Sequence, residues 1–179
     1  MLASTSPQRQ AILEQLLIPF DVVAPRYREV GDDPVAHAVR KARSVDGGGR
    51  PVLGVDTVVV LDERVLGKAD SPEEAAAMLD ALSGRTHEVV SGLCLRTPAW
   101  EEVGREVTRV VFRPLSDRDI EGYVASGEWQ GRAGAYAIQG YGASLVERIE
   151  GDYLNVVGLP AALLIRLLGA HRSPDVGDG

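Results

Sequence analysis

Residues Pro51–Asp62 read PVLGVDTVVVLD, a nearly continuous run of apolar and β-branched side chains. Such a run predicts a strand buried on both faces, as in sheets covered by helices. One charged residue interrupts it. An ionised carboxylate at Asp56 is costly among core residues unless something pairs with it or coordinates it. Two readings stand side by side. Asp56 either sits at a strand bulge, satisfied by backbone amides, or is mounted on a rigid strand to hold a metal ion or take a proton. Thr57 adds a hydroxyl at the same place.

Helical and strand patterns alternate on either side. In residues 7–17, PQRQAILEQLL, the residues Ala11, Ile12, Leu13, Leu16 and Leu17 fall largely on one helical face. Ser6 takes the N-cap and Pro7 the first helical position. Residues 20–24 predict a short strand and residues 34–45 a helix begun by Pro34. Few residues precede the first strand, so it is expected to be short. Residues 71–84 form a helix capped by Ser71, with Glu74 three residues on and Gly84 at its end. Residues 87–97 and 105–115 predict long strands joined by a hairpin around PAWEEVG (98–104). A helix capped by Ser116, strands at 135–140 and 143–151, and an apolar helix at 158–168 complete the pattern. Alternating strands and helices followed by a hairpin imply an α/β protein with a mixed sheet. The 179 residues fit one domain, over 1–170, or two lobes sharing one core; SPDVGDG (173–179), with no apolar anchors, predicts a frayed tail over 171–179.

Bulk properties narrow the function. No apolar run is long enough for a membrane span, and the start lacks the pattern of a secretory signal. Cys94 is the only cysteine, so no intrachain disulfide or cysteine-rich zinc site is expected, which suits a reducing cytoplasm. The net charge is -7 and basic residues are scattered singly, which argues against a nucleic-acid partner but allows a small anion in a local basic pocket.

Several other residues are candidates for chemistry. Ser4, Thr5 and Ser6 followed by Arg9 place hydroxyls, helix-start amides and a guanidinium together, a setting suited to phosphate. Lys68 sits between a strand end and a helix start. Lys41 lies among Arg40 and Arg43, a run most simply read as a solvated face, and Glu29 is by default a loop acid. Gln139 stands between an apolar segment and two glycines, where an amide can meet a base edge or simply end a strand. Asp152 and Asn155 either cap the following helix or bind. His37, His87 and His171 have no metal-ligand spacing and carry no expected catalytic role. There is no nucleophile elbow and no P-loop.

Taken together, LASTSPQR (2–9), RKA (40–42), GVDTVVVLD (54–62), LGK (66–68), AGAYAIQGYGA (133–143) and GDYLNVVGLP (151–160) resemble the Maf family of nucleoside triphosphate pyrophosphatases, once described as septum-formation inhibitors. The resemblance spans Leu2 to about Leu168. It implies an elongated, Maf/ITPase-like α/β fold with a central mixed sheet, flanking helices and a cleft between two lobes. It implies cleavage of a triphosphate between the α and β phosphates, a divalent cation (Mg²⁺ or Mn²⁺), and a homodimer. By the same resemblance Asp56 is the proton acceptor or a metal contact, Glu29 a metal contact, and Lys41 and Lys68 the active-site lysines. Ser6 and Arg9 match the family's phosphate-binding opening segment, and Ser4 joins them by its place in the same turn. Thr57 and Gln139 match the branch acting on dTTP and UTP rather than the branch acting on 7-methyl-GTP. Gln8 departs from both: the pyrimidine branch has Arg there and the 7-methyl-GTP branch Trp. Ala69 also departs, replacing the proline of the family's G-K-P. The other readings are a 7-methyl-GTP enzyme and a nucleotide-binding regulator of division without activity.

Overall fold

A computed structural model describes residues 1–27 and 30–170. Glu29, His171 and the expected tail lie outside the described residues. The sheet has six strands: β1 (Leu2–Ala3), β2 (Val52–Leu61), β3 (Arg64–Leu66), β4 (Thr86–Arg96), β5 (Glu101–Phe112) and β6 (Val146–Glu150). Their order is β1-β2-β4-β5-β6, with β3 also on β2. Among the described strand pairs only β1–β2 is parallel, so the sheet is mixed as expected. Among the described residues six α-helices flank it: α1 (Pro7–Gln15), α2 (Pro34–Arg43), α3 (Pro72–Leu82), α4 (Asp117–Ser126), α5 (Tyr153–Val157) and α6 (Ala161–Gly169).

β2 is the spine, and its registers explain where a cavity opens. β4 covers one edge of β2 from Val52 to Val60. The other edge is shared. β1 pairs with Leu53 and Gly54, and β3 pairs with Val59, Val60 and Leu61. Residues 55–58 therefore face a gap in the sheet, with the β1–α1 turn on one side and the end of β3 on the other. The apolar core divides at the same place. Leu53 and Val55 pack with α1 and α6 residues such as Ile12, Leu13 and Leu164. Val59 and Leu61 pack into a second cluster around Leu79, Phe112, Tyr123 and Tyr136.

α2 presses unusually close to the sheet. Its buried face runs through Pro34, His37, Ala38, Lys41 and Ala42, one stripe at helical spacing. Two glycines admit it. A Cβ on Gly54 would stand 2.1 Å from the Ala38 carbonyl oxygen, and one on Gly92 would stand 2.4 Å from that of Pro34.

Several local expectations need correction. Residues 20–24 form no strand beyond a single bridge of Val22 to Leu2. Residues 135–140 are not a strand either, because Gly134 (φ 67°) and Ala135 (φ 55°) turn the chain into the left-handed region. A 3₁₀ segment (Gly140–Leu145) then takes the first residues expected in the last strand. β3 was not anticipated. Its hairpin turns at Asp62 and Glu63, both with positive φ, at a place where Asn-Gly or Asp-Gly usually marks such a turn. Ser6 occupies the N-cap position of α1, but its side chain makes no cap bond. Its hydroxyl donates instead to Gln8 Oε1 at 3.2 Å.

Candidate active site

The gap beside β2 opens into a cavity of about 350 Å³. Asp56 and Thr57 are neighbours on a strand and so point to opposite faces of the sheet. Both still reach the cavity, since it wraps around the open edge between those faces. Ser6, Gln8, Arg9, Lys41, Lys68 and Gln139 line it as well.

Asp56 is paired. Lys41 Nζ donates to Asp56 Oδ1 at 2.5 Å, with the lysine 7 % and the aspartate 8 % exposed. Asp56 lies opposite Gly92 in a regular ladder, not at a bulge, which removes the purely structural reading of backbone satisfaction there. The solvated-face reading of Lys41 is also overturned. Lys41 sits on the buried stripe of α2, four residues from His37 and three from Ala38. The register of that stripe, legible in the sequence, is the signal that separates Lys41 from the outward Arg40 and Arg43. A buried charge is tolerated only with a partner, and here each member of the pair meets the other's need.

On the opposite face Arg9 ties three chain segments together. Its Nη1 donates to Ser4 Oγ at 3.0 Å, its Nη2 to Thr57 Oγ1 at 3.3 Å, and its Nε to the Gly158 carbonyl at 2.9 Å. Thr57 Oγ1 also shares a hydrogen bond with Ser91 Oγ at 2.8 Å. Ser4 is buried, and its hydroxyl accepts from the Ser6 amide as well. The β1–α1 turn is therefore stiff, with Ser6, Gln8 and Arg9 set along one wall.

The other wall comes from the chain after α4. Ala133 bridges to Lys68, and the Gly134 amide donates to the Gly67 carbonyl at 2.9 Å. This brings Lys68 beside the 131–139 segment, where Arg132, Tyr136 and Gln139 line the cavity. Tyr136 is fixed from behind by His87, whose Nε2 lies 2.9 Å from the Tyr136 hydroxyl. Burial pushes the imidazole of His87 down to about 4 and raises the Tyr136 phenol. Neither is charged near neutral pH, so the pair supports the wall without adding to its field.

Other cavity residues have no sequence signal that marks them as part of a site. Asp32 and His37 line the cavity. His37 Nε2 donates to the Gly31 carbonyl at 2.8 Å, and its Nδ1 lies 3.1 Å from the Tyr27 hydroxyl. His37 thus anchors the loop that carries Asp32. Arg132 also went unremarked, since a lone arginine in a glycine-rich turn has no periodic signal. Asp152 and Asn155 are structural. Asp152 caps α5 by accepting from the Leu154 amide at 2.8 Å. The fully buried Asn155 donates to Val89 O and Thr108 Oγ1.

The donor set can be tested against a divalent cation. Among the described residues no group of three or more His, Cys, Asp or Glu side chains stands together. The described carboxylates in the cavity wall are Asp32 and Asp56. Mg²⁺ is usually held by one or two carboxylates together with substrate phosphates. The residues therefore fit a cation that arrives with a polyphosphate, and do not form an all-protein cage. No helix among the described residues is long and apolar enough to cross a membrane.

Residues 1–171 match the family model described as Maf-like protein. The chain is 43% identical to the dTTP/UTP pyrophosphatase of Pyrococcus furiosus, over 94% of this chain and 93% of that one. It is 48% identical to the dTTP/UTP pyrophosphatase of Symbiobacterium thermophilum, over 97% and 94%. It is 46% identical to that of Thermus thermophilus, over 96% and 94%. A match of this extent, on a mixed α/β sheet with the family's motifs gathered around one cavity, leaves one conclusion: the chain belongs to the Maf family.

Proposed function

We propose that this protein hydrolyses dTTP and UTP to the nucleoside monophosphate and pyrophosphate. The observation that carries the reading is the cavity itself: one buried carboxylate, Asp56, among the cations Arg9, Lys41, Lys68 and Arg132. A triphosphate needs that excess of positive charge, and its hydrolysis needs an acceptor for one proton. The relatives' names, all dTTP/UTP pyrophosphatase, support the same substrates. Thr57 and Gln139 in the wall agree with a pyrimidine base.

In this reading the base lies toward Gln139, whose amide offers both a donor and an acceptor. Ser4 and Ser6 position the phosphates through the stiff β1–α1 turn, with Arg9 pointing along it. Water attacks the α phosphorus and its proton passes to Asp56. The bond from the α phosphorus to the α,β-bridging oxygen breaks, and that oxygen leaves with the pyrophosphate. Lys41 keeps Asp56 oriented and offsets its charge near the anionic substrate. Lys68 stabilises the charge gained by the leaving group. Asp56, with Glu29 or Asp32, would hold a divalent cation, Mg²⁺ or Mn²⁺, that arrives with the substrate, and such a cation would supply Lewis-acid polarisation of the α phosphate. The protein acts as one domain, as a homodimer, in the cytoplasm and without a nucleic-acid partner.

The test is a product assay on the purified protein with Mg²⁺ over dTTP, UTP, CTP, GTP and 7-methyl-GTP. Pyrophosphate and monophosphate from dTTP and UTP are expected. Orthophosphate with a diphosphate overturns the reaction, and preferential turnover of 7-methyl-GTP overturns the substrate. No product, but a rise in melting temperature with nucleotide, leaves a binding protein only.

A further inference from the structure

Two cavities meet at the start of α1. The first holds Asp56, Thr57 and Gln139. The second, about 420 Å³, opens between the β1–α1 turn and the turn at 130–132. Arg9, Lys41, Lys68 and Arg132 line both. The first also contains Asp32 and Asp56, whereas the second has no acidic residue among the described residues that line it. In a chain of net charge -7, an acid-free chamber with four cations is a local anion trap.

Arg132 is the unexplained member of this set. Its Nε is buried and has no hydrogen-bond partner among the described residues. Buried guanidinium nitrogens are nearly always bonded, because leaving one unsatisfied is costly. The backbone nevertheless holds the residue firmly. Gly131 has φ 70°, the Arg132 amide donates to the Trp129 carbonyl at 3.1 Å, and the Arg132 carbonyl accepts from Ala135 at 3.1 Å. The next residue, Ala133, is bridged to Lys68. Lys68 and Arg132 line both chambers, so two cations face the space that the chambers share. An anion there offsets both positive charges.

A nucleoside triphosphate is polar along its length, with an uncharged base at one end and its densest charge at the other. If Asp56 serves the α phosphate in the first chamber, the β and γ phosphates extend toward the acid-free second one. We propose that Arg132 and the second chamber form the subsite for the pyrophosphate end of the substrate. Arg132 donates to β- and γ-phosphate oxygens and holds the departing pyrophosphate. The planar guanidinium suits two phosphate oxygens at once, which an ammonium cannot match. This rests on the pyrophosphatase reading for the identity of the anion.

The test compares wild type, R132A and R132K by calorimetric titration with inorganic pyrophosphate and, separately, with dTMP, alongside dTTP kinetics and melting temperature. R132A should weaken pyrophosphate binding about 10- to 100-fold, as expected for a lost charge-assisted bond. It should leave dTMP binding within about twofold and raise KM for dTTP. R132K should recover part of the pyrophosphate affinity and supplies the readout if R132A fails to fold. Unchanged pyrophosphate affinity in a folded R132A overturns the subsite, as does an equal loss for dTMP and pyrophosphate. Wild type that binds pyrophosphate but does not cleave dTTP instead overturns the pyrophosphatase reading and leaves the subsite standing.

Discussion

Gly54→Ala should damage catalysis without touching any group of the cavity. The added Cβ would stand 2.1 Å from the Ala38 carbonyl oxygen, 2.8 Å from the Ala42 amide and 2.9 Å from the Ala42 Cβ. Real Cβ contacts essentially never fall under 3.0 Å, and these neighbours are mostly backbone, so α2 must retreat by about 1 Å. Lys41 lies between Ala38 and Ala42 on the same buried stripe and moves with them. The 2.5 Å bond from Lys41 to Asp56 then opens to roughly 3.5 Å, beyond useful hydrogen-bond length. Overpacking of this kind costs about 1–3 kcal/mol. For a domain of this size that lowers Tm by roughly 2–12 °C. A displacement near 1 Å at a reacting group costs about 100-fold in rate. The assay is dTTP turnover with thermal unfolding of the same preparation, and Gly169→Ala serves as control because nothing lies within 4 Å of the Cβ it would gain. Gly54→Ala with Tm within about 1 °C of wild type and kcat/KM within about twofold would refute the claim that α2 is held at its distance by this glycine.

Three further outcomes follow from the site and its supports. Asp56→Asn should lower turnover by about 10²- to 10⁴-fold while keeping an oxygen for Lys41, whereas Asp56→Ala should in addition destabilise the fold by about 3–5 kcal/mol; near wild-type turnover in Asp56→Asn, measured with a melting curve, removes Asp56 from the chemistry. His87 is held down to about 4 in the fold against 6.5 when unfolded, so between these values only the unfolded chain takes up the proton. Stability should therefore fall as pH drops from 6.5 toward 4, by about 3 kcal/mol in all, and His87→Gln should flatten that limb in urea titrations; parallel pH profiles for the two proteins would exclude it. Gln8→Arg adds a guanidinium to the wall of both chambers and should lower KM for dTTP by about tenfold without creating a preference for 7-methyl-GTP, which competition between the two substrates measures.

Much of this arrangement was legible in the sequence because it rests on local signals. The run 51–62 announced a covered strand, and Asp56 stood out as the one charged residue inside it, ahead of Asp62 at its end. Lys41 was legible in principle, through the 34, 37, 38, 41, 42 stripe of α2, yet its arginine neighbours pointed to a solvated face. Other features depend on contacts that no window of sequence contains. The gap at 55–58 exists because β1 ends after two residues and β3 begins late, and β3 turns on a pair with no glycine. The apolar AYAI segment resembles a strand, but positive φ at Gly134 and Ala135 and a bond from the Ala137 amide to the Tyr123 hydroxyl hold it as an irregular wall. Gly54 and Gly92 look like ordinary strand glycines until α2 lies on them. Arg132 becomes informative only when its buried nitrogen is seen to lack a partner.

The three-way grip of Arg9 has a consequence for how the protein comes into being. The carbonyl that receives the Arg9 Nε belongs to Gly158, 149 positions later in the chain. Contacts closed over such a span form late, after the loop entropy between them has been overcome. A nascent chain that has displayed Arg9, Lys41, Asp56 and Lys68 carries all these charged groups and still has no fixed phosphate wall. The nucleotide pool meets an organised site only once the last helices have docked, so assembly itself keeps the incomplete chain catalytically silent.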